Sequence, residues 1–368
     1  MTPVLIALRA LIVGFVLSLV VITAFAYTTL LERKLLARLQ ARVGPSRAGY
    51  IPLPRRGGKE RKLLAGFMQP AADAVKLFLK EDPTPAEVDR PVYNLAPMLA
   101  VISAILLLAV IPWAPAINIF GAVFEPYFAI APGINVGVLF VLAVTSLGVY
   151  GIFLAGWASN SKYAVLGGIR SSAQMISYEL AMGLSLLVPI MLADSMDLGV
   201  IVEAQRSGWY VFLQPVAAVV FWITAMAELQ RHPFDLLEAE QELSAGFNVE
   251  YGGMRFGMFF MAEYMKMVIL SALAAVFFFG GYLGPFVDQF PALGFVYMAI
   301  KIFIGLFIMI WVRASWPRFR YDQLMSFGWK VLLPIAVLNF LITAFFILLA
   351  EENVLQPIID MFTSFFIG

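Results

Sequence analysis

Charged residues are missing from six long stretches of the chain, and each stretch reaches the roughly 20 residues that a helix needs to cross a bilayer. Two further stretches contain one charge each, Glu179 in 171–193 and Lys301 in 289–312. No segment alternates at the strand period that a membrane barrel requires. The pattern predicts an all-α integral membrane protein with eight transmembrane helices. The charge-free stretches are 10–31, 91–124, 126–161, 207–227, 267–287 and 331–350.

Composition supports this prediction and excludes several cofactor sites. The 368 residues are 61% hydrophobic and 13% charged, whereas soluble domains average about 45–50% and 25%. The sequence has no cysteine and a single histidine, His232. Disulfides, thiolate-bound iron–sulfur clusters and bis-histidine haem are therefore excluded within this chain. We expect no metal site and no redox cofactor held by the chain itself.

Lysine and arginine predict the orientation, because cytoplasmic loops of membrane proteins are enriched in both. Of the 25 basic residues, 21 fall in alternate loops, and Arg206 is the only one in the intervening loops and the C-terminal tail. We expect both termini to lie on the non-cytoplasmic side. The loops predicted to be cytoplasmic are 32–93, 157–175, 228–257 and 313–330.

The sequence predicts a single membrane domain, 1–368, with two unusual cytoplasmic loops. Loop 32–93 has a net charge of +6, and its helical spacing resumes at 63–81 with one apolar side, which is typical of an interfacial amphipathic helix. Loop 228–257 has a net charge of −4. Neither loop suggests nucleic-acid binding. A basic loop beside an acidic one is suited to bind a soluble partner or to surround a polar cavity.

Ionisable residues at membrane depth cost about 2.5–3.5 kcal/mol on insertion scales and indicate a functional site by default. Glu179 lies within the fourth predicted helix, Glu228 ends the fifth, and Glu263 lies in the sixth, near Lys266. Structural roles are the alternative: Glu179 bonded to a neighbouring Tyr or Arg, and Glu263 neutralised by Lys266.

Carboxylates also crowd the segment after Glu228. On a helix, Asp235, Glu238 and Glu242 share a face, and Glu240 points elsewhere. A soluble acidic helix has a similar pattern, but this one is interleaved with apolar residues between two membrane helices. Like charges in a low dielectric cannot all ionise, so we expect the group to share protons. Such a path suits proton conduction better than solute binding.

Short motifs follow one another in order between residues 27 and 345. They include Glu32-Arg33-Lys34, the Gly44-Pro45 turn, Gln69-Pro70 and, as the most specific, Pro233-Phe234-Asp235-Leu236 with Glu238-Ala239-Glu240. This set resembles the complex I subunit 1 family, whose bacterial members are designated by the letter H. Members are membrane subunits of the proton-pumping NADH:quinone oxidoreductase.

The resemblance implies H⁺-translocating NADH:quinone oxidoreductase activity as a subunit, in a bacterial inner membrane. It implies quinone as the substrate, with FMN and iron–sulfur clusters only in partner subunits. The implied partners are peripheral-arm quinone-site subunits, neighbouring small and antiporter-like membrane subunits, and membrane lipid.

The resemblance also implies two groups of site residues. The quinone cavity would be lined or flanked by Arg33, Arg42, Asp73, Lys76, Arg231, Phe234, Arg313 and Arg318. The proton path that couples quinone reduction to the antiporter-like subunits would consist of Glu32, Glu179, Glu228, Asp235, Glu238, Glu240, Glu242, Glu250 and Glu263.

Two other functions fit the sequence less well: a homologous membrane subunit of an energy-converting hydrogenase, and a stand-alone ion transporter.

The chain also departs from the family pattern. The link at 50–65 is long and basic, and His232 precedes Pro-Phe-Asp. Some relatives carry a Glu where 144–147 has none, so we expect a hydroxyl or a water at that position.

Overall fold

Long apolar helices dominate the fold, and short helices and two hairpins connect them. The computed structural model describes residues 3–49, 51–56, 59–63, 66–119, 122–235 and 246–351. The helices are α1 Pro3–Leu39, α2 Gln69–Leu79, α3 Arg90–Leu107, α4 Gly137–Ala158, α5 Lys162–Ala193, α6 Leu198–Ala204, α7 Tyr210–Leu213, α8 Pro215–Glu228, α9 Gly253–Phe278, α10 Leu293–Ser315, α11 Tyr321–Phe327 and α12 Leu333–Glu351. A 3₁₀ turn at Gly246–Asn248 precedes α9, and a π-helical turn at Gly328–Leu332 joins α11 to α12.

Two antiparallel hairpins interrupt the helical pattern. Strand β1 Ile51–Arg56 pairs with β2 Lys59–Leu63, and β3 Ala114–Ile119 pairs with β4 Ala122–Phe128. The sequence analysis predicted neither hairpin. The second lies in a stretch that looked like one continuous apolar run, but α3 ends at Leu107 and prolines follow at 112 and 115, where a helix cannot continue. The first hairpin covers most of the basic link at 50–65.

In the part of the chain that the structure describes, seven helices are long and apolar enough to cross a membrane, as expected of a multi-pass membrane protein. They overlap seven of the eight predicted spans, with different bounds. Their bounds are Leu8–Leu39, Arg90–Leu107, Gly137–Ala158, Lys162–Ala193, Gly253–Phe278, Leu293–Ser315 and Tyr321–Leu349.

The fifth predicted span is the exception, because it is divided between α7 and the 14-residue α8. The division falls at Gln214, whose φ of −132° and ψ of 60° are not helical. Pro215 causes the break, since proline disfavours the helical conformation in the residue before it. The count of eight membrane helices therefore stays a prediction.

The centre of the bundle is α9. In its most apolar segment 83% of the residues are buried, against 17% for α1. Helices α1, α3 and α10 all pack against α9. Helix α1 instead leaves Leu11, Phe15 and Leu19 exposed, as suits a helix that faces lipid.

The basic loop predicted at 32–93 is shorter in the structure. Helix α1 continues to Leu39, because no helix-breaking residue occurs before the Gly44-Pro45 turn. The amphipathic helix α2 begins at Gln69, after the first hairpin, and has no buried residue. Its apolar residues Val75, Phe78 and Leu79 are exposed. An exposed apolar face next to the end of α1 agrees with the amphipathic pattern of this stretch.

Close packing around α5 depends on a glycine and generates a prediction. A Cβ atom on Gly167 would lie 2.6 Å from the Cα of Gly246 in the 3₁₀ turn, too close for two backbones to accommodate. A Cβ atom on Gly183 of the same helix would meet only Leu142 methyl groups, the nearest at 3.8 Å. We expect Gly167→Ala to destabilise the protein by about 1–3 kcal/mol, the usual cost of overpacking.

The loss should be measured as a lower thermal unfolding temperature in detergent. Gly183→Ala is the matched control and should unfold at the parent temperature. Equal unfolding temperatures for the two variants would show that α5 and the 3₁₀ turn are not in close contact.

Candidate functional site

The segment that follows α8 places one arginine in the protein interior. Arg231 has a side chain only 8% exposed. The Gln174 amide of α5 holds the segment from both ends, since it donates to the carbonyl oxygens of Ala227 and Phe234, each at 2.9 Å. The amide of Phe319 donates to the Pro233 carbonyl at 3.1 Å. These bonds hold Arg231 between α1, α9 and α10.

Arg231 joins carboxylates from two helices that are far apart in sequence. Its Nη1 donates to Glu32 of α1, and its Nε donates to Glu263 of α9. Arg313 of α10 donates to the other oxygen of Glu32. The Arg231 guanidinium also lies 4.0 Å from the ring centre of Tyr264. We call these five residues the Arg231 cluster.

Charge balance explains how the cluster can be buried. Two arginines face two carboxylates, and burying ions without partners would cost several kcal/mol for each ion. Burial alone would lower the pKa of Arg231, but attraction and hydrogen bonding by Glu263 and Tyr264 together outweigh it and leave the pKa above its usual value. Arg231 therefore remains a cation at any physiological pH.

A second ion pair lies deeper in the bundle. Lys266 Nζ lies 3.5 Å from Glu228 Oε1, and both side chains are less than 10% exposed. Among the described residues, neither oxygen of Glu228 has another hydrogen-bond donor. A Cβ atom on Gly148 of α4 would lie 2.3 Å from Lys266 Nζ, so glycine makes room for the ammonium group. The suggested Glu263–Lys266 neutral pair is not formed, because Glu263 bonds to Arg231 instead.

Glu179 of α5 has hydroxyl partners. Thr145 Oγ1 and Ser146 Oγ of α4 lie 2.9 Å and 2.6 Å from Glu179 Oε1. These hydroxyl groups bond to Glu179 in place of the Tyr or Arg that was considered as its structural partner. The two hydroxyl groups belong to the 144–147 segment, where the sequence analysis expected a hydroxyl or a water in place of a carboxylate.

A cavity of about 720 Å³, open space at its mouth included, lies among these charged groups, and we call it the polar cavity. It is enclosed by parts of α3, α4, α5, α8, α9 and α10, and by residues between the end of α8 and the start of α9. The side chains of both ion-pair systems reach it. Its lining residues are Ala100, Gly148, Ile152, Met175, Glu228, Leu229, Gln230, Arg231, Asp235, Phe247, Asn248, Phe259, Phe260, Ala262, Glu263, Lys266 and Arg313.

A larger cavity of about 1,380 Å³, open mouth included, lies between α1, α2 and α9, and we call it the apolar cavity. Most of its lining is hydrocarbon. The charged exceptions are Arg33, Asp73 and Lys76, and Arg33 Nη1 lies 2.6 Å from Asp73 Oδ2. The lining residues are Ile22, Phe25, Ala26, Thr29, Arg33, Pro70, Asp73, Ala74, Lys76, Leu77, Phe78, Met254, Phe256, Gly257, Phe260 and Met261.

Residues 12–344 match the sequence family described as NADH dehydrogenase. The chain belongs to this family. The NADH-quinone oxidoreductase subunit designated H of Protochlamydia amoebophila is 49% identical, over 89% of this chain and 94% of that protein. The one designated H 2 of Syntrophobacter fumaroxidans is 47% identical, over 90% and 94% respectively. NADH-quinone oxidoreductase subunit 8 of Rhodothermus marinus is 46% identical, over 91% and 96%.

Family membership confirms the resemblance found in the sequence, and the structure divides the predicted residues into groups. The polar cavity brings together Glu228, Asp235, Glu263, Arg231 and Arg313, with Glu32 bonded to both arginines. The apolar cavity brings together Arg33, Asp73 and Lys76. The proton-path and quinone residues implied by the NADH dehydrogenase family thus meet at two adjoining cavities.

Besides Glu32, five of the predicted residues that the structure describes line neither cavity, and one of them is Glu179, which bonds to Thr145 and Ser146 of α4. Phe234 is buried between the rings of Tyr178 and Phe319. Arg42 and Arg318 are exposed. Glu250 lies beside a separate shallow cavity with Pro83 and Gly252. Glu238, Glu240 and Glu242 lie outside the described residues, so their placement stays a prediction.

Sequence reasoning missed several contacts of the site. Tyr264 was not singled out, and Glu263 was considered only as an alternative partner of Lys266, which in the structure pairs with Glu228. A lone lysine in an apolar helix was the available signal for a buried ion pair, but its partner depends on how α9 is rotated against its neighbours. His232 has Nδ1 3.5 Å from Asp235 Oδ2. Among the described residues, no group of three His, Cys, Asp or Glu side chains is arranged to hold a metal ion.

Arg231→Met tests how much the Arg231 cation contributes to the stability of the protein. The variant leaves Glu263 without its arginine, and breaking a buried pair costs about 3–5 kcal/mol. Arg206→Met is the matched control, because Arg206 pairs with Glu203 and Asp288 while about half exposed, and surface pairs contribute about 0–1 kcal/mol. Denaturant unfolding in detergent should show the difference. A parent-like midpoint for Arg231→Met would contradict this assignment.

Proposed function

We propose that this chain is the membrane subunit of a proton-translocating NADH:quinone oxidoreductase that contributes to the quinone tunnel and to the coupling path. The observation that carries the proposal is the contact between a large apolar cavity and a buried network of ion pairs. The similarity to relatives named as NADH-quinone oxidoreductase subunits supports it over nine-tenths of the chain. Quinone is the substrate, and FMN and iron–sulfur clusters belong to partner subunits.

The apolar cavity is suited to a quinone, which carries a long hydrocarbon tail on a ring with two carbonyl oxygens. Hydrocarbon lines most of the cavity, and Arg33, Asp73 and Lys76 provide the charged groups. A mostly apolar pocket with a few polar groups is the usual form of a small-molecule site. We assign this cavity to the membrane end of the tunnel. Arg42 and Arg318 would contribute where peripheral-arm subunits cover them.

Coupling follows from the electrostatics of the buried carboxylates. Quinone reduction adds negative charge and requires protons. A nearby charge changes the proton affinity of a carboxylate, and neighbouring carboxylates titrate as a group. Glu32 and Glu263 share Arg231, and the neighbouring Glu228–Lys266 ion pair lines the same polar cavity as Arg231 and Glu263. We infer that these groups, with Glu179 and Asp235, pass the charge change towards antiporter-like subunits.

The same proposal includes the placement in the membrane. We place the basic loops on the cytoplasmic side of a bacterial inner membrane, both termini on the opposite side, and α7 with α8 as the eighth crossing. The exposed apolar face of α2 would lie in the membrane interface. The chain would form one membrane domain, in contact with the peripheral arm and with small membrane subunits.

Substituting the deepest carboxylates tests the proposal. We expect Glu228→Gln and Glu179→Gln each to lower quinone-linked NADH oxidation and proton transport by roughly tenfold or more, as loss of an acid–base group does. NADH oxidation by ferricyanide should be unchanged, because it needs only the partner subunits. Glu203→Gln is the matched control, since Glu203 bonds to Tyr282 and Arg206 away from both cavities. Full proton transport in an assembled Glu228→Gln enzyme would remove that residue from the path.

Purification in mild detergent separates the alternatives. The proposal requires flavin and iron–sulfur subunits to co-purify with the chain. A chain that purifies alone would favour a stand-alone ion transporter. A complex that evolves hydrogen and does not reduce quinone would favour an energy-converting hydrogenase.

A further inference from the structure

The polar and apolar cavities meet at one side chain. Among the residues that the structure describes, Phe260 of α9 lines both cavities, and each of the other lining residues belongs to one of them. Its neighbour Phe259 lines the polar cavity alone, and Phe256 lines the apolar cavity alone. The phenyl ring of Phe260 therefore stands where the two spaces would otherwise join.

Aromatic rings on successive turns of α9 extend this boundary. Phe256, Phe260 and Tyr264 are spaced four residues apart and so lie on one face of the helix. The ring centres of Phe256 and Phe260 are 4.7 Å apart, and those of Phe260 and Tyr264 are 6.3 Å apart. Tyr264 in turn contacts the Arg231 guanidinium. The row leads from the apolar cavity to the Arg231 cluster.

The two cavities differ in how they interact with water. Hydrocarbon surface, which forms most of the apolar cavity, does not hold water, whereas buried carboxylates with unfilled hydrogen-bonding capacity do. The polar cavity is lined by Glu228, whose oxygens have no hydrogen-bond donor besides Lys266 among the described residues. If the polar and apolar cavities joined, water would connect them directly. Protons could then move between the two cavities without being transferred by the carboxylates of the proton path.

We propose that Phe260 is the barrier between the quinone chamber and the proton path, and that its ring prevents protons from leaking between them. This inference rests on the proposed function. It makes Phe260 a residue that preserves coupling without taking part in the chemistry. Exclusion of water from a site is a recognised means of suppressing proton leakage.

The test uses the whole complex in proteoliposomes, with the number of protons translocated per NADH oxidised by quinone as the readout. Phe260→Ala should lower this ratio by about twofold or more through leakage. The ratio is the readout because Phe260 lines the quinone cavity, where a substitution also affects the rate of NADH oxidation. Phe303→Ala is the matched control and should keep the parent ratio and rate, because the Phe303 ring of α10 is exposed and lines neither cavity. A change in quinone binding alone would lower the rate and leave the ratio unchanged.

Chemical restoration of the ring gives a second measurement, available even if Phe260→Ala fails to assemble. The chain has no cysteine, so Phe260→Cys introduces its only thiol. Treatment with benzyl methanethiosulfonate should attach a phenyl group there and raise the lowered ratio, and dithiothreitol should reverse the gain. The parent complex treated in the same way is the control.

The outcomes separate the two claims. A parent complex that transports no protons with quinone would overturn the proposed function and the barrier with it. A coupled parent with an unchanged ratio in Phe260→Ala, or an equal loss in Phe303→Ala, would overturn the barrier alone. A reversible loss confined to position 260 would support it.

Discussion

The buried guanidinium of Arg231 is the contact on which the rest of the site depends. It joins Glu32 of α1 to Glu263 of α9, and Arg313 of α10 completes the charge balance. Each buried ion would cost several kcal/mol without its partners. The three helices therefore cannot shift far without exposing an unpaired charge to the apolar interior. The position of one arginine links the bundle packing to the candidate chemistry.

Helix α9 contributes residues to both ion-pair systems and to both cavities, because its different faces contact different neighbours. Glu263 faces Arg231, Lys266 faces Glu228, and Phe260 stands between the two cavities. Three successive turns of the most buried helix thus carry an ion pair, a second ion pair and an aromatic barrier. This concentration explains how a hydrocarbon-lined space and a charged one can adjoin in a single bundle. In the proposed function, the two cavities stay separate, and the charge produced by quinone reduction acts electrostatically on the carboxylates of the proton path.

The sequence predicted whatever depends on local hydropathy and missed what depends on how helices pack. Runs with no charge or a single charge located seven spans, but Pro215 divided the fifth, and the prolines after α3 produced a hairpin in an apolar run. The family resemblance identified all but one of the charged residues that line the two cavities. The partner of Lys266 was missed because it depends on the rotation of α9 against α4 and α8. The hydroxyl partners of Glu179 were also missed, because Thr145 and Ser146 meet it only through the packing of α4 against α5.

The central claim is that the buried carboxylates around Arg231 change protonation when quinone is reduced. Infrared difference spectroscopy of the whole complex, recorded as quinone is reduced, tests it most directly. A carboxyl carbonyl band should change in the parent and in Glu203→Gln and should be missing or shifted in Glu228→Gln. Identical carboxyl bands in the parent and in an assembled Glu228→Gln complex would contradict the claim for Glu228, and a parent spectrum with no carboxyl change would contradict it altogether.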